Sequence, residues 1–445
     1  MPPKRLLRDY IGHALAARAG GYFTKDVVGG LTRPLDFAAL KDERTYRRSV
    51  ADLAVAAASR GSAWLTPCEV FTPHYARAVA RSIVARHRQL YPGEPLQILE
   101  IGGGNGTFAA DVLTYVRSEE ADLFPRCRYL LLEVSERLAD IQRTTLQGAG
   151  FDQAAGGVEV HRQCALAWAE EAAGSSTARA LGGPWHIAML EVLDNLPHDK
   201  VRLSEPSSPD GTALEEAYVI EAQGEAANYA EAYRPLNDAT LRTTVSQLGL
   251  DSLEAMRRLQ ADMAATEGAA AGAELAMHLQ GLLGGLLGGG QGSSSFKVFV
   301  PTGSQRLLSA LCRACPEHQF TIADFSWLPP QPGGSVLAPV VQTQWGGHTI
   351  DLEGDYLRHC GSADILFATN FEQLSLLVRA ASAEASGGRR SDDSLAVAHV
   401  STAAFMRRWH DVDATATQSG FNPLLDDFSN TRFLVTGEHD AEWPS

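Results

Sequence analysis

The chain has 445 residues, about three times the ~150-residue prior for one domain, so it can bury one elaborated core or two modest ones. With 45% hydrophobic and 20% charged residues, its composition is globular, which excludes a chain disordered throughout. A formal charge of -15, from 38 basic against 53 acidic residues, disfavours binding to a phosphate backbone, so nucleic acid is not an expected partner.

The opening segment, MPPKRLLRDYIGHALAARAGGYF, carries Lys4, Arg5, Arg8 and Arg18 against Asp9, with Leu6, Leu7, Tyr10, Ile11, Ala14 and Leu15 on one helical face. It resembles a transit peptide in charge and amphipathicity. The preferred reading is an ordinary first helix ended by Gly20 and Gly21. Residues 1–90 are expected to form a helical, substrate-side extension closing with a helix over 73–90.

Residues 91–260 are expected to hold the core. Apolar runs at 96–101, 129–133, 158–161, 186–191 and 217–221 alternate with helical segments at 107–118 and 135–147. That alternation predicts an α/β fold with a largely parallel, doubly wound sheet. Residues 261–295 collapse into Ala, Gly, Leu and Ser and read as a flexible insertion with a short helix around 275–282. Residues 296–445 are expected to return to the sheet, with a helix over 303–314 and strands at 320–324 and 338–344. Two late segments, ADILFATNF and TRFLVT, are expected as edge or terminal strands, and 328–335 and 384–394 as loops. No window approaches the ~18 consecutive apolar residues of a membrane span, so none is expected.

Six cysteines, Cys68, Cys127, Cys164, Cys312, Cys315 and Cys360, are too few and scattered for a disulfide framework, which fits a reducing compartment. Cys312 and Cys315, followed by His318, have the spacing of zinc and redox sites. No second pair completes a four-ligand set, so they read as two small residues one turn apart on a helix and no metal is expected.

The informative run is LQILEIGGGNGTFAADVLTYV, residues 96–116. An apolar strand ends in Glu100, turns through Gly102, Gly103, Gly104, Asn105 and Gly106, and opens a helix with Phe108, Val112 and Val116 on its apolar face. Glycines serve such a turn because it needs positive φ and because a ligand must reach the backbone without meeting Cβ atoms. The helix N-terminus then faces an anionic end of that ligand. A dinucleotide fingerprint would place its third glycine at 107, where this chain has Thr107, which weakens a nicotinamide dehydrogenase reading.

Two further acidic strand ends follow. Glu133, with Val134 beside it, closes YLLLE, where a carboxylate can accept both hydroxyls of a ribose. Glu191 closes HIAMLE, with Asp194 and Asn195 just beyond the carboxyl end of the sheet, where such folds bind ligands. His198, between Pro197 and Asp199, reads as an exposed polar side chain.

With these three acidic strand ends around G-x-G-x-G, the sequence resembles class I S-adenosylmethionine-dependent methyltransferases. More narrowly, it resembles the MidA-like methyltransferases, which include the mitochondrial complex I assembly factor that methylates protein arginine. The matching segments are GYF at 21–23, LTPCEV at 65–70, LEIGGGNGTFAADVL at 99–113, LEVSERLADIQRTTL at 132–146, LEVLDNLPHD at 190–199 and GSADILFATNFEQL at 361–374. Departures mark a divergent branch. Thr66 to Val70 read T-P-C-E-V for T-S-P-E-I, Leu190 stands for the Asn of N-E-x-x-D-A-L-P, and Asp324, Phe325 and Ser326 stand for D-Y-G.

The resemblance implies S-adenosyl-L-methionine held by Glu100, Gly102, Gly103, Gly104, Asn105, Gly106, Glu133, Val134 and Glu191. It implies methyl transfer to a protein arginine, with Glu191, Asp194 and behind them Glu69 orienting the guanidinium and taking up its proton. The implied partner is a protein substrate, a respiratory complex I subunit among the candidates. The implied compartment is the mitochondrion, with the cytoplasm as alternative, and the oligomeric state, a homodimer included, stays open. Trp64, Phe71, Tyr75, Trp327 and Trp345 either line a protein-binding groove or, as the simpler reading, pack in the core. The competing function is a methyltransferase-like scaffold that holds a client protein without turnover.

Overall fold

The computed structural model describes residues 4–17, 20–24, 34–58, 65–151, 157–174, 181–204, 213–222, 228–270, 296–331, 335–345, 348–387, 396–439 and 443. In chain order the first elements are β1 (Lys4–Leu6), α1 (Leu7–Ala16), α2 (Glu43–Ala58), α3 (Pro67–Val70), α4 (His74–Leu90), β2 (Gln97–Ile101), α5 (Thr107–Glu119), β3 (Arg128–Glu133), α6 (Glu136–Gly148), β4 (Val158–Arg162), α7 (Ala165–Gly174) and β5 (Trp185–Leu190). Then come β6 (Asp199–Ser204), β7 (Ala213–Ala222), β8 (Asn228–Pro235), α8 (Ala239–Gln247), α9 (Leu253–Ala270), β9 (Phe296–Val300), α10 (Thr302–Ala314) and β10 (His318–Phe325). The last are β11 (Val340–Trp345), β12 (His348–Asp351), β13 (Asp364–Leu366), α11 (Phe371–Ser386), β14 (Val397–Ser401), α12 (Thr402–Trp409), α13 (Pro423–Asp426) and β15 (Thr431–Thr436).

The main sheet has seven strands in the order β14-β15-β10-β5-β2-β3-β4. β10, β5, β2, β3 and β4 run parallel, and β15 is antiparallel to both its neighbours. Parallel strands covered on both faces need near-continuous apolar runs, and all five residues of β2 are buried. One face packs against α4, α5, α6 and α12 through a cluster that includes Val79, Ile83, Val112, Val116 and Phe405. The other packs against α7, α10 and α11 through Trp168, Leu307, Leu308, Leu311 and Leu377. Each fully buried leucine of α10 contributes about 1.5–3 kcal/mol. The strand order reverses between β2 and β5, and a doubly wound sheet opens its ligand crevice at the carboxyl ends of such a pair.

The sheet takes four strands from residues 91–260 and three from residues 296–445. The strand at 217–221 lies elsewhere, inside β7 of a second, five-stranded sheet built from β1, β6, β7, β8 and β9. The strand at 338–344 is β11, the middle of a separate sheet ordered β12-β11-β13. TRFLVT is β15 and sits between β10 and β14, so it is an interior strand and not an edge. ADILFATNF divides: β13 takes its start, and Asn370, whose side chain accepts the Gln373 N–H, caps α11. α9 extends to Ala270 and α11 to Ser386, each into a stretch read as loop, while the helix expected around 275–282 lies outside the described residues.

The first helix is α1, ending at Ala16. Leu7, Tyr10 and Ile11 are fully buried against the second and third sheets. Arg8 Nη1 lies 2.6 Å from Asp199 Oδ2, and its Nη2 2.8 Å from Asp238 Oδ2, which pins the helix to the start of β6. No helix among the described residues is long and apolar enough to cross a membrane.

Candidate active site

The glycine turn leaves β2 at the reversal point. Gly102, Gly104 and Gly106 have φ of +71°, +51° and +80°, a region that costs L-residues about 1–2 kcal/mol each. A Cβ at Gly102 would come within 3.0 Å of Val192 Cγ2, and one at Gly106 within 3.0 Å of the Gln142 Cα. The turn therefore presents bare backbone between the loop after β5 and α6. Gly102 is exposed and Gly103 and Gly104 partly so, while Asn105 and Gly106 are buried. The Gly102 N–H bonds Leu132 O and the Gly106 N–H bonds Gly103 O.

Glu69 supports the turn from α3. Its Oε1 accepts the Thr107 hydroxyl at 2.6 Å and the Asn105 amide at 3.3 Å, placing a carboxylate beside the N-terminus of α5, where the helix dipole favours negative charge. Glu100 faces into the sheet and accepts the Tyr129 hydroxyl at 2.7 Å. Burial pushes its carboxyl up to about 7, against the Tyr129 bond that lowers it.

Glu133 ends β3 and is buried. Its Oε1 accepts the Ser135 N–H at 2.8 Å and its Oε2 the Gln142 amide at 3.0 Å. The same Gln142 nitrogen lies 3.0 Å from Gly104 O, so one side chain spans the carboxylate and the turn. Burial raises the Glu133 carboxyl to about 7. Val134 is 43% exposed and borders a cleft of about 780 Å³ that also meets Ala16, Ser135, Arg137, Gln163 and Cys164. That cleft opens beside the carboxyl ends of β3 and β4.

Glu191 follows β5 and is not part of it. Its φ of +54° puts a non-glycine residue in the left-handed region, while its N–H still bonds Ala323 O at 2.8 Å. A short 3₁₀ turn, Leu193–Asn195, carries Asp194, which is buried. Burial, then Asp324, pushes the Glu191 carboxyl up to about 8. Asp194 is raised further by burial and by Asp324, Asp364 and Glu191. Cys68 and Tyr75 face Glu191 from α3 and α4, and burial raises both.

Two aspartates that the motif reading left without a role hold this loop. Asp324, at the end of β10, accepts the Leu193 N–H at 2.9 Å and the Asp194 N–H at 3.2 Å on Oδ2. Asp364 of β13 accepts the Asn195 amide at 2.8 Å. The signal for Asp324 is its place as the last residue of the strand predicted at 320–324, a further acidic strand end whose strand, β10, runs parallel to β5.

His198 is not exposed: it is buried, its ring stacked on Phe367 at 3.9 Å between centroids, because Pro197 turns the chain inward beneath α10, where the Gly303 N–H bonds Pro197 O. Phe71 and Tyr75 are core residues and Trp327 is partly buried; Trp64 and the side chain of Trp345 lie outside the described residues. Cys312 Sγ lies 3.3 Å from His318 Nε2, whose Nδ1 meets Cys315 O at 2.7 Å and whose Nε2 meets Ser382 Oγ at 2.9 Å, all buried. These contacts satisfy the histidine within the protein.

The residues present fit an S-adenosyl group: a glycine cradle that Cβ atoms would fill, an acidic strand end beside an open cleft, and a buried carboxyl oxygen of Asp194 with no partner. A family model described as "Putative S-adenosyl-L-methionine-dependent methyltransferase" matches residues 78–388. Among solved structures, a Burkholderia thailandensis protein bound to S-adenosyl-homocysteine is 14% identical, with a TM-score of 0.57 over 97% of this chain and 88% of that one. A native crystal structure of a protein from the same organism is also 14% identical, with a TM-score of 0.53 over 97% of this chain and 87% of that one. At that identity the likeness concerns the fold. No curated protein sequence matches the chain.

Proposed function

The chain belongs to the S-adenosyl-L-methionine-dependent methyltransferase family whose model it matches, and from that premise we propose that it methylates an arginine side chain of a protein. The observation that carries this reading is the partly buried Glu191, strained at φ +54° beside Asp194 and raised to about 8. In this reading the core is a class I methyltransferase fold. The cofactor, when bound, supplies an electrophilic methyl group on a sulfonium. Glu133 would hold the ribose hydroxyls, and the Gly102–Gly106 turn with the N-terminus of α5 would hold the methionine end.

An arginine guanidinium stays protonated at neutral pH, so the attacking nitrogen must lose a proton as it is methylated. Glu191, whose carboxyl is raised toward neutrality, is matched to accept it. Asp194 orients the planar donors from the other side of the turn. Cys68 of α3 and Tyr75 of α4 wall the site. The resemblance to the complex I assembly methyltransferases supports a mitochondrial protein, a respiratory complex I subunit, as substrate.

Incubating labelled S-adenosyl-L-methionine with mitochondrial extract, wild type beside Glu191→Gln, tests the reading. Label on arginine in the wild type, reduced about 10²- to 10⁴-fold in the variant, is the expected result. Equal label in both removes the role given to Glu191, and label on lysine removes the substrate class. No label at all would favour the scaffold function.

A further inference from the structure

Four carboxyl groups meet at the carboxyl ends of β5 and β10 and at β13: Glu191, Asp194, Asp324 and Asp364. The charged groups facing Asp194 are all acids, Asp324, Asp364 and Glu191, and no cation among the described residues pairs with any of the four. On the remaining side, α3 and α4 bring the Cys68 thiol and the Tyr75 hydroxyl toward Glu191, with Glu100 and Glu69 beyond Cys68. A buried site with this many acids and no cation cannot hold all of them ionised in its empty state.

Burial raises the Asp324 carboxyl to about 7 against the backbone N–H groups that lower it, and those hydrogen bonds single it out as the acid best suited to carry the charge. Asp324 accepts three backbone N–H groups, from Leu193 and Asp194 on Oδ2 and from Phe325 on Oδ1 at 2.7 Å. An oxygen pair that only accepts is the carboxylate form. Asp364 accepts the Asn195 amide. Asp194 differs: its backbone is fully engaged, the N–H with Asp324 and the carbonyl with the Phe367 N–H at 2.8 Å, and although the Asn195 N–H lowers its carboxyl, its Oδ1 is buried with no partner. The residue is 2% exposed. A bare, buried oxygen is tolerable on a neutral acid and very costly on a carboxylate.

We propose that Asp194 is held as the neutral carboxylic acid in the ligand-free protein, that Asp324 is the positioning residue that keeps it so, and that a cationic acceptor enters by displacing that proton. This rests on the methyltransferase reading for its substrate, but the state of Asp194 stands apart from it. The exchange balances: the O–H bond of Asp194 breaks, the proton passes to solvent, and an acceptor N–H donates to the carboxylate left behind. One positive charge replaces another in the buried site. Acceptor affinity accordingly rises with pH, by as much as about tenfold per pH unit below the range in which Asp194 titrates.

Infrared absorption of the ligand-free protein at neutral pH tests this without any turnover. Subtracting Asp194→Asn from wild type should leave the carbonyl stretch of one protonated carboxyl group. Loss of ionised carboxylate bands instead would overturn the proposal. In Asp324→Asn the neighbouring charge is gone, so the protonated signal should fade as Asp194 ionises; its persistence would remove the role given to Asp324. Thermal unfolding supplies a measurement that needs only one variant. The amide is a close replacement for a neutral acid, so Asp194→Asn should leave the midpoint nearly unchanged, whereas a rise would mark removal of a buried charge and contradict the proposal. Infrared evidence for an ionised Asp194 would leave methyl transfer standing, and failed methyl transfer would leave the infrared result intact.

Discussion

Gln142 Nε2 stands 3.0 Å from Glu133 Oε2 and 3.0 Å from Gly104 O, so a single amide fixes the distance between the acidic end of β3 and the glycine turn after β2. Gln142→Ala should weaken S-adenosyl-L-methionine binding by about two- to tenfold, the worth of about 0.5–1.5 kcal/mol for a lost hydrogen bond. Equilibrium dialysis with labelled cofactor would check it, and unchanged affinity would show that the amide positions nothing the cofactor uses.

Gly106→Ala meets two costs at once. The residue sits at φ +80° and its new Cβ would lie 3.0 Å from the backbone of Gln142. The left-handed strain alone is about 1–2 kcal/mol, and the contact would push α6 away from the turn. Chemical denaturation should show a loss of at least that size. A variant as stable as wild type would mean the turn relaxes freely.

Stability of the ligand-free protein should depend on pH through Glu100. Burial raises its carboxyl from 4.5 to about 7, the Tyr129 bond opposing and Glu133 adding. Because the folded value lies above the unfolded one, the native state binds the proton more tightly. The contribution is complete below about pH 4.5 and is lost as pH rises through about 7. Unfolding midpoints measured between those limits should fall with rising pH in the wild type and fall less in Glu100→Gln. Parallel curves would show that Glu100 is not the titrating group.

Asn195 donates to Asp364 Oδ1 at 2.8 Å and to Ile365 O at 3.2 Å, joining the loop after β5 to the small sheet. Asn195→Ala leaves a buried carboxyl without its donor, at a cost of about 1–3 kcal/mol. Denaturant titration would register that loss. Asn195→Asp, which sets two acids against each other, should be worse than alanine at neutral pH, and the reverse order would contradict the bond.

The main sheet was legible where the sequence was least ambiguous. Runs such as QILEI and YLLLE are continuously apolar because parallel strands are buried on both faces, and the Gly102–Gly106 turn gave the direction in which the chain leaves them. The second sheet is legible only at 217–221, because DKVRLS, ALEEAYVIEA and NYAEAYRP mix charges into their apolar runs, and because β1 and β9 join β7 and β6 from far along the chain. TRFLVT shows a strand and is the last of the chain, but its insertion between β10 and β14, and not at an edge, is a property of topology. At the site, the sequence singles out Glu191 but not its left-handed backbone, nor the Asp324 carboxylate that holds the turn after it. Asp324 shows in the sequence as a strand end and as the first residue of the segment that stands for D-Y-G, with nothing to mark its bonds to the turn after β5. Polarity alone marks His198 as exposed, whereas the ring it stacks on, Phe367, lies 169 residues later in the chain.

The most direct measurement is calorimetric titration of S-adenosyl-L-methionine into the purified protein, wild type beside Glu133→Ala. The account predicts binding at one site per chain, weakened about ten- to a hundredfold by the variant, as expected for loss of a charge-assisted hydrogen bond of about 1.5–3 kcal/mol. Binding that is equally tight in the two proteins, or a wild type that takes up no cofactor, would contradict it.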